Sequence, residues 1–434
     1  MRVNLEALSS TEKKVEVLIP SEEVREKMEG IFKEFQKKAK IRGFRPGKIP
    51  RNLVESVYRD DILNELSSRL ISESFEDALK EVSLTPVSRP RITADKVERD
   101  SDFRYTAVVE VIPEVEVKDY TGIDLKKEKY EIKDEDVDRA LNQLRERSAE
   151  AKPLETEREV RKGDYVVVDY EGRLDGKSIK DLKRKDVQFL VGEGKLLAEF
   201  EDNLGGMKKG EEKKFDVSYP EDFQMAEVAG KTVNFEMKVK DIQDRVLPEL
   251  DDDFAKDLGQ ENLEELKKKI REDLEKKLDE ESQNKLKGEI IKSLLEKNSV
   301  DVPASLVESE AARLRREFIS NLERHGIQAP PSNEQSEEKF RERAVRSLKT
   351  SIIIGAIAKK EGIKLEDGEL DKKLMEIAKS FGAPFEKVRE VYQNNDMIGT
   401  VEAGLIEDKV FNFLLEKSNI EEVFGDQNQI DKES

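Results

Sequence analysis

The sequence lacks cysteine and tryptophan and contains a single histidine, and these absences exclude several kinds of site. Without cysteine there is no disulfide and no thiolate metal centre, so a reducing compartment is permitted. His325 falls in the polar segment NLERHG, which predicts a solvent-exposed helix end. A metal site or a Ser-His-Asp triad built on histidine is therefore not expected. We expect no metal ion and no other cofactor.

Long hydrophobic runs are also missing. No stretch of about 18 uncharged apolar residues occurs, so no membrane span and no membrane partner are expected. The first residues, MRVNLEALSSTEKKVEV, have no apolar core of signal-peptide length, which predicts a cytoplasmic protein. Aromatic residues make up only 6% of the chain and charged residues 41%, a composition typical of long solvated helices. A length of 434 residues predicts about two to four domains.

Charge is distributed unevenly along the chain. Residues 1–112 carry 21 basic and 21 acidic residues, so the whole net charge of −19 lies in residues 113–434. Within the neutral part, residues 33–51 contain one acid, Glu34, and eight cations: Lys33, Lys37, Lys38, Lys40, Arg42, Arg45, Lys48 and Arg51. Such a local surplus favours a polyanionic partner.

Hydrophobic periodicity divides the chain into four segments. Residues 1–112 combine strand alternation with helical spacing, which predicts an α+β domain. Residues 113–150 are highly charged and predict a connector. Residues 151–245 contain short alternating strands with glycine turns, which predicts a small β-rich domain. Residues 246–434 have helical spacing and end in a polar tail that we expect to be disordered from about residue 421.

The basic segment is predicted to be a loop between two helices. One helix begins near Ser21 and is expected to end at Gly43, and a second begins after Pro50. The loop is not a phosphate-binding P-loop. Three residues separate its two glycines where a P-loop has four, and Ile49 stands where that motif needs Ser or Thr.

The residues of this loop allow two interpretations. An exposed tip carrying arginines, a lysine and Phe44 can contact RNA phosphates or acidic side chains and fill an apolar notch. The alternative is an ordinary solvated turn. Charge alone does not separate the two.

The run GFRPGK followed by IP resembles the signature of the trigger factor family, the bacterial ribosome-associated chaperones. The resemblance extends over essentially the whole chain, because the order of the segments agrees. It implies that segment 42–51 docks beside the exit tunnel, on ribosomal protein and ribosomal RNA. The implied ribosome-binding residues are Arg42, Gly43, Phe44, Arg45, Pro46, Gly47 and Lys48.

The glycine and turn framework of residues 151–245 resembles an FKBP-type prolyl isomerase domain. Its markers include Tyr170-Glu171-Gly172, Asp175-Gly176 and Val191-Gly192-Glu193-Gly194. Rotation about an X-Pro bond needs no nucleophile and no metal, only a dry pocket that favours the twisted amide. The resemblance places that apolar prolyl pocket on Tyr170, Ile179, Val187, Leu196, Leu197, Phe200, Phe223 and Phe235.

Two departures from the FKBP pattern bear on activity. The family usually has an aromatic residue followed by an acid where this chain has Ile179-Lys180. A tyrosine hydroxyl often stands at the position of Phe223, so one hydrogen-bond donor is missing. The apolar pattern is equally consistent with a plain barrel core. An active isomerase, a weak one and a retained barrel with little catalysis all stay open.

The remaining segments resemble the helical body and arms of the same family. The resemblance implies a multidomain α+β protein with an N-terminal α+β docking domain, a small FKBP-like β-rich domain and an elongated all-α C-terminal domain with arms. The connector, 113–150, is expected to pack with residues 246–434. Apolar helix faces would bind unfolded nascent polypeptides, although spacing does not distinguish such a cradle from core.

The resemblance therefore implies an ATP-independent ribosome-associated chaperone with a prolyl isomerase domain, a monomer on the ribosome with a homodimer as a possible free form. Two other classes stay open. One is a prolyl isomerase whose other domains deliver substrate, and the other is a holdase with a vestigial barrel. An RNA-binding regulator acting through residues 33–51 is a third, which the net acidity of the chain disfavours.

Overall fold

The fold was analysed in a computed structural model. It describes residues 1–39, 44, 49–154, 156–194, 198–221, 223, 225, 227–325, 327, 333–395 and 397–425. The chain divides into two compact units. The first comprises Met1–Glu128 and Ser282–Phe424, and the second Lys129–Glu281 and Gly425–Ser434. Within the described residues, no helix is both long enough and apolar enough to cross a membrane.

Strands and helices alternate irregularly along the chain. The strands are β1 (Arg2–Ala7), β2 (Glu12–Ile19), β3 (Arg91–Ala94), β4 (Phe103–Glu110), β5 (Asp124–Lys129), β6 (Glu150–Pro153), β7 (Tyr165–Leu174), β8 (Lys177–Leu190), β9 (Glu212–Ser218), β10 (Thr232–Val246) and β11 (Asn419–Phe424). The helices are α1 (Ser21–Lys38), α2 (Arg51–Val57), α3 (Arg59–Glu81), α4 (Asp134–Arg147), α5 (Ala198–Leu204), α6 (Asp252–Asp257), α7 (Leu263–Lys297), α8 (Ala304–Arg324), α9 (Glu334–Glu361), α10 (Glu369–Ser380), α11 (Phe385–Asn394) and α12 (Ile398–Glu416).

An antiparallel sheet in the order β1-β2-β4-β3 forms the N-terminal part of the first unit. Val15, Val17 and Ile19 alternate along β2 and are all buried, as their spacing predicts. They pack with Val24 and Ile31 of α1 and with residues of α2 and α3 in one core. Burying one face of the sheet under helices fixes the strand register, because a one-residue slip would turn these side chains to water.

Helix α1 ends earlier than the sequence predicts. It stops at Lys38, and Ala39 already has extended backbone angles, φ −58° and ψ 139°. The expected end at Gly43 is therefore wrong. Ala39 is buried in the N-terminal core, so tertiary packing turns the chain away from the helix before the glycine is reached.

The helical part of the first unit has its own core. Leu286, Ile290 and Leu294 of α7 pack there with residues of α9 and α12. The connector contributes Val117, Ile123 and Leu125 to the same core. The part of the connector that precedes α4 is therefore buried against helices that lie far downstream in sequence.

The C-terminal segment is not entirely helical, and its end is not disordered where expected. Strand β11 pairs with β5, and the backbone N–H of Asn419 donates to the carbonyl of Ile123 over 2.9 Å. Residues 421–424 are thus ordered by a partner almost 300 positions away, which local composition cannot reveal. Residues 426–434 of the predicted tail lie outside the described residues.

The second unit contains a sheet in the order β6-β10-β7-β8, with β9 also paired to β10. Val166 and Val168 of β7 and Phe235 and Met237 of β10 point into its core. A separate small core joins Val137 and Leu141 of α4 to α6 and the first half of α7.

Asp164 is a buried carboxylate that ties the start of this sheet together. Arg158 donates to its two oxygens over 2.6 and 2.8 Å, and the backbone N–H of Arg161 donates over 2.8 Å. Burial opposes the charge, but these hydrogen bonds prevail and lower the pKa of Asp164 below its usual value. The ionised form therefore stabilises the folded state.

We predict that Asp164→Asn lowers the free energy of unfolding by about 2–3 kcal/mol at pH 7, because Arg158 loses its buried partner. Asp244→Asn removes the exposed partner of the same arginine and should cost less than about 1 kcal/mol. Urea unfolding at several pH values checks both. Since the folded pKa is depressed, the stabilisation by Asp164 is present above its unfolded pKa and disappears as pH falls through the folded one. Equal costs for the two changes would contradict the assignment.

Candidate functional site

The loop between α1 and α2 is anchored at both ends. Ala39 and Ile49 are buried, and the side-chain amide of Gln36 donates to the carbonyl of Ile49 over 2.8 Å. Between them, Phe44 is 44% exposed. An aromatic side chain that is left open on a loop with fixed ends is available to a partner.

The other predicted loop residues lie outside the described residues: Arg42, Gly43, Arg45, Pro46, Gly47 and Lys48. Their assignment to ribosome binding stays a prediction. Phe44 is the predicted docking residue whose position can be stated.

Arg51, at the start of α2, belongs to the fold and not to the open loop. Both of its terminal nitrogens bond Glu29, and its guanidinium lies over the Phe32 ring, 4.6 Å from the ring centre. The hydrogen bond from Arg51 lowers the pKa of Glu29, and the same bond raises that of Arg51. Of the eight cations counted in residues 33–51, this one is already neutralised.

Glu34, the single acid of that segment, is also paired. Arg69 of α3 donates to its two carboxylate oxygens over 2.9 and 2.8 Å. These hydrogen bonds lower the pKa of Glu34. Glu29 and Glu34, the last two carboxylates of α1, are therefore occupied by arginines of α2 and α3.

The predicted prolyl pocket is built around Phe200 of α5. Its ring centre lies 5.0 Å from that of Phe235 on β10 and 5.6 Å from that of Tyr170 on β7, both nearly edge-on. Phe235 is 1% exposed, whereas Tyr170 is half-buried. Buried rings thus form the floor, and a half-open phenol forms one wall.

The other predicted pocket residues differ in whether they belong to this aromatic core. Ile179 is buried in the same core, and Phe223 packs against that core from the loop after β9. Val187 is half-buried on β8 opposite Val168, but it is not part of the core. Leu196 and Leu197 lie outside the described residues.

Three aromatic residues of this cluster were missed by reasoning from sequence. Phe189 on β8 lies 6.2 Å from Tyr170, and Phe215 on β9 lies 5.2 Å from Phe200. Tyr219 packs against Phe223 with ring centres 4.6 Å apart. The alternation in KKFDVSYP puts Phe215 and Tyr219 on one face and could have revealed them.

Two phenols in this cluster stay neutral. Burial raises the pKa of Tyr170, against a lowering influence of Arg184. Burial also raises the pKa of Tyr219, and Tyr170 and Glu199 contribute in the same direction. Both hydroxyls are therefore protonated at neutral pH and can donate hydrogen bonds. Tyr219 supplies a buried phenol four residues before Phe223, where the sequence suggested that a donor was lost.

The helical part of the first unit carries a second candidate surface. A groove of about 410 Å³ runs between α10, α11 and α12 and is lined by Ile377, Tyr392, Met397, Val401 and Leu405 among others. Phe381, at the end of α10, is 78% exposed. These apolar faces are open, in contrast to Leu374 and Val388 of the same helices, which are buried.

Comparisons with known proteins agree with this architecture. The family model described as bacterial trigger factor protein matches residues 1–144, its C-terminal counterpart matches 262–416, and the FKBP-type peptidyl-prolyl cis-trans isomerase model matches 156–240. Curated trigger factors are similar over almost their whole lengths. That of Geotalea daltonii is 36% identical, with both chains covered completely, and that of Geobacter metallireducens is 35% identical over 98% of this chain and all of its own.

A more distant curated relative and a solved structure complete the comparison. The trigger factor of Caldicellulosiruptor saccharolyticus is 33% identical over 97% of each chain. A solved structure from a study of substrate recognition in folding and assembly by the trigger factor chaperone matches with a TM-score of 0.53. It covers 96% of this chain and all of its own at 24% identity, so it supports the fold alone.

Fold and site together define a multidomain protein with an N-terminal α+β domain, an FKBP-type peptidyl-prolyl isomerase domain and a helical C-terminal domain, which confirms the predicted fold class. The chain belongs to the trigger factor family of chaperones, as the loop and barrel motifs predicted.

The pocket floor depends on the absence of a side chain at residue 172. A Cβ added to Gly172 would lie 2.9 Å from the Leu182 Cβ and 3.0 Å from the Phe235 ring. We predict that Gly172→Ala lowers the free energy of unfolding by about 1–3 kcal/mol and displaces Phe235. Gly205→Ala is the matched control, since the nearest atom would be 3.8 Å away. Chemical denaturation and aromatic NMR shifts check this, and an unaltered Gly172→Ala variant would contradict it.

Proposed function

We propose that this protein is an ATP-independent cytoplasmic chaperone that docks on the ribosome, shields nascent chains at the exit tunnel and accelerates X-Pro isomerisation. The observation that carries the proposal is the aromatic pocket around Phe200, in a chain whose relatives are trigger factors over their whole lengths. The three parts of the proposal rest on different surfaces.

The pocket supports isomerase chemistry through shape and low polarity. Rotation of an X-Pro amide faces a barrier of about 18–20 kcal/mol, and the planar ground state is the better solvated one. The rings of Phe200 and Phe235 would hold the proline away from water. Loss of hydration destabilises the planar amide more than the twisted one, so the barrier to rotation falls. The neutral hydroxyl of Tyr170 would donate to a substrate carbonyl. No covalent step is required.

The loop supports ribosome docking. Phe44 is exposed between two buried anchors, and the last two acids of α1, Glu29 and Glu34, are occupied by arginines. We propose that Arg42, Gly43, Phe44, Arg45, Pro46, Gly47 and Lys48 form the contact surface, with the cations meeting phosphate or carboxylate groups. The open groove between α10, α11 and α12 would hold apolar segments of the emerging chain.

A second candidate function is a holdase whose isomerase domain is weak. Ile179 and Phe223 stand where the FKBP pattern usually has more polar or aromatic groups, and this favours a slower enzyme. The buried phenol of Tyr219 can donate a hydrogen bond near Phe223, which favours an active isomerase. Catalysis and aggregation suppression therefore have to be measured on the same variants.

For the isomerase we predict that Tyr170→Leu lowers kcat/KM in a proline-limited refolding assay about tenfold or more, because it removes a wall and a donor of the pocket. Tyr165→Leu changes a half-buried tyrosine on the same strand, five residues before Tyr170, and should change kcat/KM less than about twofold. Suppression of client aggregation should be unaffected in both. A wild-type protein that suppresses aggregation but does not accelerate refolding would establish the holdase alternative.

For docking we predict that changing Phe44, Arg45 and Lys48 together to Ala reduces co-sedimentation with ribosomes about tenfold or more. The matched control changes Ile92, Arg89 and Lys96 to Ala, which are the same kinds of side chain, one apolar and two basic, exposed in and around β3. That control should pellet like the wild type. Equal pelleting of all three proteins would remove the loop from the proposed function.

A further inference from the structure

Arg184 of β8 lies beside the candidate prolyl pocket. It is the antiparallel register partner of Tyr170 on β7. Side chains of directly opposed residues project from the same face of a sheet, and the Tyr170 ring faces Phe200 and Phe235. The field of Arg184 also reaches the phenol, since it lowers the pKa of Tyr170 against the effect of burial. The guanidinium therefore stands at the rim of the pocket.

This guanidinium has no carboxylate partner in the part of the chain that the structure describes. Its Nη1 donates to the carbonyl of Lys183 over 3.2 Å, and its side chain is exposed. The cations on the opposite face behave differently. Lys183 pairs with Glu171 over 3.1 Å, and Arg173 lies 3.6 Å from Glu236. The net charge of the chain is −19, so acids are plentiful, yet this guanidinium at the pocket has no ion pair among the described residues. It can therefore still bind the carboxylate of a ligand.

The local sequence removes another potential partner. Lys180 follows Ile179 at the position where the FKBP pattern usually carries an acid, and it is exposed. The segment therefore carries a second cation, four residues before Arg184 on the same strand. Asp169, Glu171, Glu212 and Glu236 line a groove that Arg184 also borders, but no ion pair joins any of them to Arg184 among the described residues, so a bound peptide can supply the carboxylate.

We propose that Arg184 is a specificity-determining residue that favours X-Pro segments with an acidic side chain one or two residues before the proline. This inference rests on the proposed isomerase function. An extended chain advances about 3.3–3.6 Å per residue, so such a side chain stays near the rim while the proline ring occupies the pocket. A carboxylate there accepts two parallel hydrogen bonds from the guanidinium fork, which a neutral amide cannot do.

The test uses the full-length chain and four short peptides. Two peptides carry Glu either one or two residues before proline, and the other two carry Gln at the same places. We expect kcat/KM for at least one Glu peptide to exceed that for its Gln counterpart about two- to fivefold at low salt, and the ratio to shrink in high salt. Arg184→Gln should bring the ratio to about one, and Arg184→Glu should invert it.

Lys183→Gln is the matched control, because it removes the neighbouring charge from the opposite face and should keep the wild-type ratio. A wild-type ratio of one at both positions, or a ratio that survives in Arg184→Gln, overturns the specificity while leaving catalysis of the Gln peptides as support for the isomerase. If none of the four peptides is isomerised faster than spontaneously, the isomerase function fails and this inference fails with it.

Discussion

The pairing of strand β10 is the constraint on which the isomerase domain depends. This strand runs over 15 residues and hydrogen-bonds to β7, β9 and β6. Its register sets Phe235 opposite Gly172 on one side and opposite Phe215 on the other. Because side chains alternate between faces, one residue of slippage would turn Phe235 outward and open the pocket floor. The pocket is therefore a property of the ladder, and no single loop creates it.

The same strand pairing explains why the apolar residues of the pocket are not all part of the buried core. Phe200 and Phe235 are buried. Tyr170, on the neighbouring strand β7, is only half-buried. A fully buried ring stabilises the fold, whereas a half-buried one keeps surface for a ligand. Stability and recognition are thus divided between neighbouring residues on one face, and the floor is held rigid by the packing that stabilises the domain.

How much of this could be predicted from the sequence depended on the range of the interactions. Alternation along β2 predicted the burial of Val15 and Val17, because that signal is local. The GFRPGK loop and the glycine framework of the barrel predicted the family. The resemblance also grouped Tyr170, Phe200 and Phe235, whose rings the structure brings together. The contribution of Phe215 was not predicted, since it depends on β9 lying beside β10. Strand β11 was missed for the same reason, as its partner β5 is distant in sequence.

Charge pairing beside the α1–α2 loop occupies two acids of an acidic chain. Glu29 and Glu34 are the acids of α1 closest to the loop, and each is held by an arginine from another helix. A carboxylate already bound by a guanidinium has little remaining attraction for a lysine on a flexible stem. The hydrogen bonds from Arg69 are the larger cause of the lowered pKa of Glu34, although Lys37 and Lys38 also lower it. A polyanionic partner, as proposed for this loop, would therefore meet less repulsion from Glu29 and Glu34 than from unpaired acids, although the net charge of the whole chain opposes its approach at long range.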